Sequence, residues 1–550
     1  MSGGGFRATG FQLGTLAYLN KVELLEKVSK LSTVSGGTFT GASYVLAKIE
    51  GQDFEQYFAQ FYDNLEKSNL TEKVLDQLGD GKFYNQSGRK SLITAAAQVY
   101  ATSFFEDTKG QPYRMETIVN SSIHIKDITF NTTEFKTGLN FRFQRTVSNR
   151  SYMGNTNFIL KEGTSDIRVA DVVAASSCFP GGFEPIVFPE DFCWSDQQAL
   201  QSVTNKIRMK TEKQIPLMDG GVYDNQGIYA LKQAIRRDKN HKHIQPQRDL
   251  ILISDVDSKP ETLYELPKIK QKDRVKYTSG LTLGNWFCLI TLLFWLGLAT
   301  VVSNVVMILN QTKSEGFIFW SWSFWSHLLP AFFTAILISA TIYLYIKVFK
   351  PIINAIPHSK QAAWQDLKKL NRSLVVHLIK IRIESLMALT SLVFMKRIRS
   401  LSYKVLFSSS DLHMRVRANL VYDLDTLNED RYSEFPESIG IIKPDSQLQK
   451  VCDFAARMKT TLWWENSYEQ PAIVACGQVT TCYNLIRYVY KSNGKKIPIQ
   501  GDDHFELWQI LVADWKAFNG DPYFMLRDNL GSDNVFEYPP CISKHDSEQD

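Results

Sequence analysis

Three absences narrow what this chain of 550 residues can be. Its seven cysteines are scattered, odd in number and without a C-x-x-C pair, which argues against a disulfide framework. An excess of one charge is also missing: the net charge of +5 is small for this length, no basic-aromatic module accompanies it, and we expect no nucleic-acid partner. There is no internal repeat or low-complexity tract, and 44% hydrophobic with 22% charged residues is typical of a globular protein.

Charge is also missing from two long runs in the middle of the chain. Residues 281–309 and 317–346 contain no Asp, Glu, Lys or Arg, and each run exceeds the roughly 20 apolar residues that a helix needs to cross a bilayer. Two buried core helices are the alternative, but they would need a very large core around them. The pattern therefore predicts a transmembrane hairpin over residues 281–347. Tryptophans gather toward the ends of the runs, as in interfacial belts: Trp286, Trp295, Trp320, Trp322 and Trp325.

Basic residues flank the predicted hairpin. Five Lys and Arg residues lie between positions 266 and 276, and Lys347 and Lys350 follow the second run. The predicted turn, residues 310–316, carries one Lys and one Glu. The positive-inside rule then places residues 1–280 and 347–550 in the cytoplasm. We expect an integral membrane protein with a lipid bilayer as its partner and most of the chain on the cytoplasmic side.

The stretch from Leu31 to Thr38 predicts a serine nucleophile. It reads as a strand, residues 27–34, that breaks at Ser35 and passes into a helix, residues 37–48. A serine at a tight strand-to-helix turn has the geometry of a nucleophile elbow, and the following helix directs its positive end to the same place. Gly36 and Gly37 supply the small residues on one side, whereas Thr33 stands where the other glycine is expected. An ordinary serine in a β-to-α turn is the alternative.

Two further stretches supply the groups that such a serine needs. Three glycines, Gly3 to Gly5, precede a predicted helix over residues 9–25, with Arg7 close by. A row of unobstructed backbone N–H groups binds a phosphate or a developing oxyanion. Asp219 ends an apolar segment in front of two glycines and is a candidate base for the serine proton. The glycines also match a dinucleotide loop, G-x-G-x-x-A, but no strand precedes them in the chain.

With the segment from Ala174 to Pro185, these stretches resemble the patatin-like phospholipase family and its cytosolic phospholipase A relatives. The resemblance covers roughly residues 2–260 and, less clearly, parts of 375–490. It implies an α/β fold, a three-layer α/β/α sandwich, and a Ser–Asp dyad that acts on lipid acyl esters without a metal or cofactor. The residues that match by position are Ser35 as nucleophile, Asp219 as base, Gly3, Gly4, Gly5 and Gly36 around the oxyanion, and Arg7 as a basic, substrate-binding residue.

Two departures from the family pattern stand out. Thr33 replaces the usual elbow glycine, which we expect to strain the turn without removing a reacting group. The family's glycine loop also follows a first core strand, and nothing precedes Met1 in this sequence. A sheet without that strand would leave backbone groups unpaired at its centre, so we expect the N-terminus to be incomplete.

The chain as a whole divides into four predicted segments. They are the first part of the catalytic domain (1–265), the hairpin (281–347), a helical segment that completes the catalytic domain (358–490) and a C-terminal helix with a tail (491–550). We predict strands at 122–125, 139–143, 250–254, 401–406 and 416–422, and helices at 168–178, 452–462, 479–490 and 504–518. Aromatic residues at helical spacing from Phe54 to Tyr62 indicate core or an acyl pocket.

Polar residues outside these motifs leave alternatives open. Asp255 and Asp257 follow the strand at 250–254 and are read as loop caps rather than metal ligands. The basic residues between 358 and 400 form a solvated helix face or contact anionic lipid head groups. A Ser–His–Asp triad would need a histidine after Asp219. The basic residues are Lys368, Lys369, Arg372, Lys380, Arg382, Lys396, Arg397 and Arg399, and the histidines are His241, His243, His377 and His413.

The functional prediction is a membrane-anchored hydrolase that cleaves ester bonds of phospholipids or lysophospholipids through Ser35 and Asp219. The alternative is an inactive, membrane-bound lipid-binding or scaffold protein on the same fold. Thr33 is the one residue that favours the alternative, whereas Ser35, Asp219 and the three glycines favour the enzyme.

Overall fold

The computed structural model describes residues 1–80, 89–146, 151–161, 163–211, 214–240, 250–257, 282–315, 322–344, 369, 371–408, 415–425, 435, 443–531 and 535–540. These residues form two units. The first combines residues 1–261 with residues 391–550, and the second comprises residues 262–390. The basic stretch at 266–276, Trp320, Lys347, Lys350 and Lys368 lie outside the described residues.

The N-terminal segment of the first unit is rich in helices. Polar side chains begin several of them: Asp53 accepts a hydrogen bond from the backbone of Gln56, and Ser91 forms a capping box with Thr94. The helices are α1 (Gly5–Lys21), α2 (Gly36–Ile49), α3 (Phe54–Glu66), α4 (Leu70–Gly79), α5 (Leu92–Phe104), α6 (Met115–Val119), α7 (Val169–Ser177), α8 (Gln197–Thr211), α9 (Gly221–Asp224) and α10 (Ile228–Asn240).

The strands of the first unit build a large sheet and a small one. The large sheet has the order β5–β4–β3–β2–β7–β6, and β1 also pairs with β2; the small sheet pairs β8 with β9 in parallel. The strands are β1 (Lys30–Val34), β2 (Asp127–Glu134), β3 (Leu139–Arg145), β4 (Ser151–Gly154), β5 (Ile159–Leu160), β6 (Ile186–Phe188), β7 (Ile215–Asp219), β8 (Ile251–Asp255) and β9 (Val416–Leu420).

Helices cover both faces of the large sheet. On one face, the hydroxyl group of Thr132 in β2 hydrogen-bonds to the carbonyl oxygen of Ala175 in α7. On the other face, Arg142 of β3 lies close to Tyr223 of α9 and Tyr229 of α10. The first unit therefore has the α/β fold that the sequence predicted, with the sheet between helical layers.

The N-terminal residues connect the two sheets. The amino group of Met1 donates to the carbonyl oxygen of Ser32 in β1 at 2.9 Å, and the Val34 amide donates back to Met1. The Ser2 amide donates to the carbonyl oxygen of Ser254 in β8 at 3.0 Å. Residues 1 and 2 thus pair with β1 on one side and β8 on the other.

The second unit contains long helices. Large apolar side chains are exposed on them, including Trp295 (61% exposed), Phe332 (60%) and Phe333 (60%). The predicted turn at 310–316 is helical as far as Glu315. Three helices are described: α11 (Leu283–Glu315), α12 (Trp322–Leu344) and α13 (Arg372–Ala388), the last followed by a π-helical turn at Leu389–Phe394.

Over the described ranges, no helix combines the length and the apolar character that crossing a membrane requires. The transmembrane hairpin predicted over 281–347 is therefore not supported.

The C-terminal segment of the first unit is mainly helical, as predicted. Its longest helix packs directly on α1 because glycines face the contact: a Cβ at Gly14 would lie 2.1 Å from the Val474 carbonyl oxygen, and one at Gly477 would lie 2.3 Å from that of Phe11. The helices are α14 (Met395–Phe407), α15 (Ser446–Arg457), α16 (Glu469–Ser492), α17 (Phe505–Gly520) and α18 (Phe524–Leu530).

Most predicted elements of the first unit are confirmed, but three are wrong. Residues 122–125 form no strand. The strand predicted from residue 27 begins at Lys30, because Leu25–Lys27 forms a 3₁₀ turn. Residues 401–406 belong to helix α14, where Tyr403 and the buried Leu406 lie four and seven positions after Arg399 on one helical face.

The aromatic residues at helical spacing in α3 belong to the core. Phe54, Tyr57, Phe58, Phe61 and Tyr62 are all buried and pack in the main hydrophobic cluster. Stacked and edge-on ring pairs join them, such as Tyr57 with Phe61 at 5.7 Å between centroids. Burial in the core accounts for this pattern.

Candidate active site

Two strands that end on one edge of β2 bring Ser35 and Asp219 together. β1 runs parallel to β2, and its last residue, Val34, pairs with Asn131. β7 runs antiparallel to β2, and its last residue, Asp219, pairs with Thr132. The carboxyl ends of β1 and β7 therefore meet at consecutive residues of β2. Ser35 follows Val34 directly, so it lies beside Asp219 although the two are far apart in sequence.

Ser35 has the backbone conformation of a nucleophile elbow. Its φ is 50° and its ψ is −123°, a combination that is costly for a residue with a Cβ. Helix α2 begins at the next residue, and its Thr38 amide donates to the Ser35 carbonyl oxygen at 2.8 Å. The side chain is 7% exposed. The predicted strand–serine–helix turn is therefore present, and the left-handed φ lies at Ser35 rather than at Thr33.

A chain of hydroxyl groups holds this turn. Ser176 Oγ donates to the Asn131 carbonyl oxygen at 2.7 Å and accepts from the Ser35 amide at 3.0 Å. Because its one proton is used, Ser176 must accept from Thr38 Oγ1 at 2.8 Å, and Thr38 must accept from Thr33 Oγ1 at 3.0 Å. Thr33 thus anchors the elbow through its hydroxyl group.

Asp219 is buried and held in place by its own backbone. Its amide donates to the Cys178 carbonyl oxygen at 2.8 Å, and the following Gly220 amide donates to that of Ser176 at 3.2 Å. The carboxylate accepts a hydrogen bond from the Gly221 amide at 2.7 Å, and the nearby Ser35 hydroxyl group stabilises its charge. The predicted nucleophile and base are therefore neighbours in the structure.

Burial raises the pKa of Asp219 from its ordinary value of 3.8 to about 6. The Ser35 hydroxyl group, the Gly221 amide and the charge of Arg399 all lower the pKa, but they offset the effect of burial only in part. A carboxylate with a pKa near the working pH can accept a proton and release it again. The electrostatics of the site thus suit a general base.

The glycine loop lies against the elbow. A Cβ at Gly3 would lie 2.8 Å from Ser35 Cβ, and one at Gly36 would lie 2.2 Å from the Gly5 carbonyl oxygen. Gly4 and Gly5 have φ of 146° and 57°, and a Cβ at Gly5 would lie 2.4 Å from the Thr461 carbonyl oxygen. Only glycine fits at this contact. Any other residue at position 5 would bring its Cβ against the backbone of Thr461 and would also have to adopt a positive φ.

The predicted oxyanion donors differ in their availability. The Gly3 amide donates to the Asn225 carbonyl oxygen at 3.0 Å, so it is already engaged. Within the part of the chain that the structure describes, the amides of Gly4, Gly5 and Gly36 donate to no other group. These three remain candidates for binding an oxyanion.

Arg7, predicted to bind substrate, is buried beneath the loop. Its Nη2 donates to the Ala456 carbonyl oxygen at 2.7 Å, near the end of α15. Burial, together with the nearby charge of Arg399, lowers the pKa of Arg7 to about 10. At 5% exposure the guanidinium faces protein rather than solvent. Its position ties α15 to the loop, and its substrate-binding role stays a prediction.

Arg399 is a basic residue of the site that the motifs do not reveal. It belongs to α14 and forms an ion pair with Asp257. When the side-chain oxygen of Asn225 faces Arg399, this Oδ1 accepts hydrogen bonds from Arg399 Nε at 2.8 Å and from Arg399 Nη2. Burial alone would lower the pKa of Arg399, but Asp255 and Asp257 raise it above its ordinary value. The prediction from sequence placed this arginine on an outer basic face of a helix, whereas in the structure its charge lies close enough to Asp219 to lower the pKa of that residue.

The acidic pair at the end of β8 has protein partners. Asp255 accepts from Gln226 Nε2 at 3.0 Å and from the Tyr403 hydroxyl group at 3.1 Å, and Asp257 pairs with Arg399. No group of three potential metal ligands occurs among the described residues. Of the four histidines considered for a triad, His377 lies in α13 of the second unit, and His241, His243 and His413 lie outside the described ranges.

Comparison with known proteins agrees with the geometry of the site. A family model described as Patatin-like phospholipase matches residues 1–232, the segment that contains the glycine loop, the elbow and Asp219. No curated protein and no solved structure is significantly similar to the chain. Residues 1–232 therefore carry a patatin-like phospholipase domain, which is a domain of lipid acyl hydrolases.

Proposed function

From the patatin-like phospholipase domain at residues 1–232, we propose that this chain hydrolyses acyl ester bonds of phospholipids or lysophospholipids through a Ser35–Asp219 dyad. The observation that carries the proposal is the position of a strained elbow serine beside a buried carboxylate: Ser35 has a φ of 50°, β1 and β7 end at consecutive residues of β2, and the Ser35 hydroxyl group lowers the pKa of Asp219. Strain of this kind persists where the surrounding structure holds it, and it clusters at functional sites.

In the proposed reaction, Asp219 accepts the proton of Ser35 while Oγ attacks the acyl carbonyl carbon. Oγ and this carbon form a bond, the carbonyl oxygen becomes an oxyanion, and the carbon–oxygen bond to the alcohol then breaks. The leaving alkoxide takes the proton from Asp219. Water hydrolyses the acyl-enzyme in the same way, with Asp219 again accepting and returning a proton. No histidine is required in this sequence of steps.

The free amides of the glycine loop and the elbow suit the oxyanion. Gly4 and Gly5 lie in the loop that contacts Ser35, and Gly36 begins α2, whose N-terminal end carries a partial positive charge. Backbone donors aimed at a developing negative charge need no rearrangement during the reaction, and losing one typically lowers the rate about 10²- to 10³-fold.

We further propose that the enzyme works at the cytoplasmic side of a membrane. Its substrates reside in the bilayer, and the second unit exposes apolar side chains such as Trp295, Phe332 and Phe333. Apolar surface of this extent is typical of a site that contacts lipid or protein.

The test is fatty-acid release from mixed phospholipid vesicles by the full chain, Ser35→Ala and Asp219→Asn. We expect both variants to lose activity by more than about 10³-fold, because each removes one partner of a unit that acts together. Ser467→Ala and Asp76→Asn are matched controls, since both residues are exposed and lie outside the site. Thermal unfolding checks that all four variants fold. Full activity in Ser35→Ala would overturn the proposal.

An inactive lipid-binding protein on the same fold is the second candidate. Thr33 in place of an elbow glycine is the one observation in its favour, and the structure shows that Thr33 supports the turn through Thr38. A fluorophosphonate probe separates the two candidates, because it labels a serine only where the nucleophile is activated. Labelling of the wild type but not of Ser35→Ala supports the enzyme; an unlabelled, folded wild type supports the inactive protein.

A further inference from the structure

Helix α14 packs against residues of the candidate active site and presents two different faces. Its inner face reaches the catalytic groups: Arg399 contacts Asn225 and Asp257, and a Cβ at Gly221 would lie 3.0 Å from Met395 Cε. Gly221 is the residue whose amide holds Asp219. Helix α14 therefore packs beside the dyad.

The outer face of α14 combines apolar and basic side chains. Leu401, Val405 and Phe407 are 45%, 49% and 45% exposed, and Arg397 and Lys404 are also exposed. Positions 397, 401, 404 and 405 follow the i, i+4, i+7, i+8 spacing that puts residues on one side of a helix. The residues that contact the site and the exposed residues lie on opposite faces of the same helix, and the exposed face carries basic side chains.

The charge on this helix has one sign. Residues 395–407 contain four Lys and Arg residues and no Asp or Glu. Of the four, Arg399 pairs with Asp257 on the inner face, whereas Arg397 and Lys404 are exposed on the outer face. Basic side chains next to exposed apolar ones are the pattern of helices that lie in a membrane interface, where the apolar groups enter the lipid and the cations meet anionic head groups.

We propose that the outer face of α14 docks the catalytic unit on an anionic phospholipid surface. The inference rests on the proposed lipid acyl hydrolase function for its substrate class. Charge complementarity selects anionic lipid as the occupant, because the face offers Arg397 and Lys404 together with apolar side chains, on a helix whose own sequence contains no Asp or Glu. Docking through this helix holds the dyad next to the interface from which the substrate must come, and Arg399 links the docked helix to the site.

The first test measures the anionic increment, which is the binding of the full chain to vesicles that contain anionic lipid minus its binding to vesicles without it. Flotation compares vesicles of phosphatidylcholine alone with vesicles that also contain phosphatidylserine, and Ser35→Ala serves as background so that hydrolysis does not alter the vesicles. Arg397→Glu with Lys404→Glu is expected to lower the anionic increment about tenfold or more, because each cation near such a surface contributes to binding. Lys109→Glu, which reverses an exposed charge elsewhere, is the matched control.

The second test concerns the apolar side chains in the active chain. Leu401→Asp with Val405→Asp is expected to lower fatty-acid release from anionic vesicles about tenfold, whereas Ile499→Asp, at a residue 69% exposed in another region, leaves release near the wild-type level. Fluorophosphonate labelling of Ser35 in each variant checks that the site is folded.

The outcomes separate this inference from the proposed function. An anionic increment that persists in Arg397→Glu/Lys404→Glu overturns the inference, and it would point to a protein partner for this face. Release that stays at the wild-type level in Leu401→Asp/Val405→Asp overturns it as well. If the wild type releases no fatty acid but the increment falls as expected, the docking inference stands and the proposed hydrolase function fails.

Discussion

Thr33 and Gly41 are complementary in shape at the base of the elbow. A Cβ at Gly41 would lie 2.6 Å from Thr33 Cγ2, closer than two carbon atoms can approach. Thr33 is fully buried and is the last residue but one of β1, while Gly41 is in the second turn of α2. The missing glycine at position 33 is thus matched by a glycine on the helix that follows the elbow.

This pairing predicts a measurable coupling between the two positions. Gly41→Ala gains about 1 kcal/mol of helix propensity but overpacks Thr33, which costs about 1–3 kcal/mol, so we expect net destabilisation of up to about 2 kcal/mol. Thr33→Ser removes Cγ2 and keeps the hydroxyl group that bonds to Thr38. In that background, Gly41→Ala should stabilise the protein. Chemical denaturation of the four members of the cycle measures the coupling.

A glycine in open space provides the control for this cycle. No atom lies within 4 Å of a Cβ added at Gly79, the last residue of α4. Gly79→Ala should therefore have the same small stabilising effect in both backgrounds. Equal effects of Gly41→Ala with Thr33 and with Ser at position 33 would contradict the steric explanation.

The raised pKa of Asp219 predicts an acid limit to activity. The base must be ionised, and its pKa is about 6 because burial disfavours the charge. We expect kcat/KM to rise with pH, to reach half its plateau near pH 6 and to lie about tenfold below the plateau at about pH 5. The substrate for this measurement is a soluble short-chain ester, which has no titrating head group. A midpoint near pH 4 would mean that Asp219 is not the titrating base.

The same pKa shift predicts how stability depends on pH. Because the folded pKa lies above the ordinary value of 3.8, the stabilising effect of the neutral carboxyl group is complete below pH 3.8 and is lost as the pH rises through 6. Asp219→Asn stays neutral throughout. Its stability relative to the wild type should therefore increase by about 1 kcal/mol between pH 5 and pH 8. Denaturation at both pH values checks this, and Asp76→Asn, at an exposed position, should show no such increase.

The dyad could be predicted from sequence because its motifs are local. Ser35 with Gly36, and Asp219 with Gly220, are each recognisable within a few residues. The reason why they meet is not local: β1 and β7 end on neighbouring residues of β2, Asn131 and Thr132. No periodicity in the chain encodes that register, which depends on the packing of the whole sheet.

The environment of the site was harder to predict for a physical reason. Arg399 stands in a helix with other basic residues, and a charged side chain is normally placed on the outer face. The structure turns it inward because Asp257 and Asn225 supply the carboxylate and amide oxygens that a guanidinium needs. These partners lie more than 140 residues away in sequence. Likewise, the strand predicted at 401–406 is a helix because its inner face follows a spacing of three and four residues.

Arg399 should tune the pKa of the base. Its positive charge is one of the influences that lower the pKa of Asp219, so removing the charge lets burial raise that pKa further. Arg399→Gln is expected to move the acid midpoint of kcat/KM for the soluble ester upward by up to about one pH unit. Arg399→Lys keeps the charge and should move it less, although it cannot reproduce the two bonds to Asn225.

The pH midpoint distinguishes this electrostatic effect from a loss of structure. A variant that only loosened α14 would lower the plateau of the pH profile without moving its midpoint. Arg236→Gln removes an exposed charge on α10 and should leave the midpoint in place, because solvent screens that charge. Thermal unfolding identifies any variant that fails to fold. If the midpoint stays near pH 6 in a folded Arg399→Gln enzyme, the charge of Arg399 does not act on Asp219, and its contribution is confined to holding Asn225 and the glycine loop.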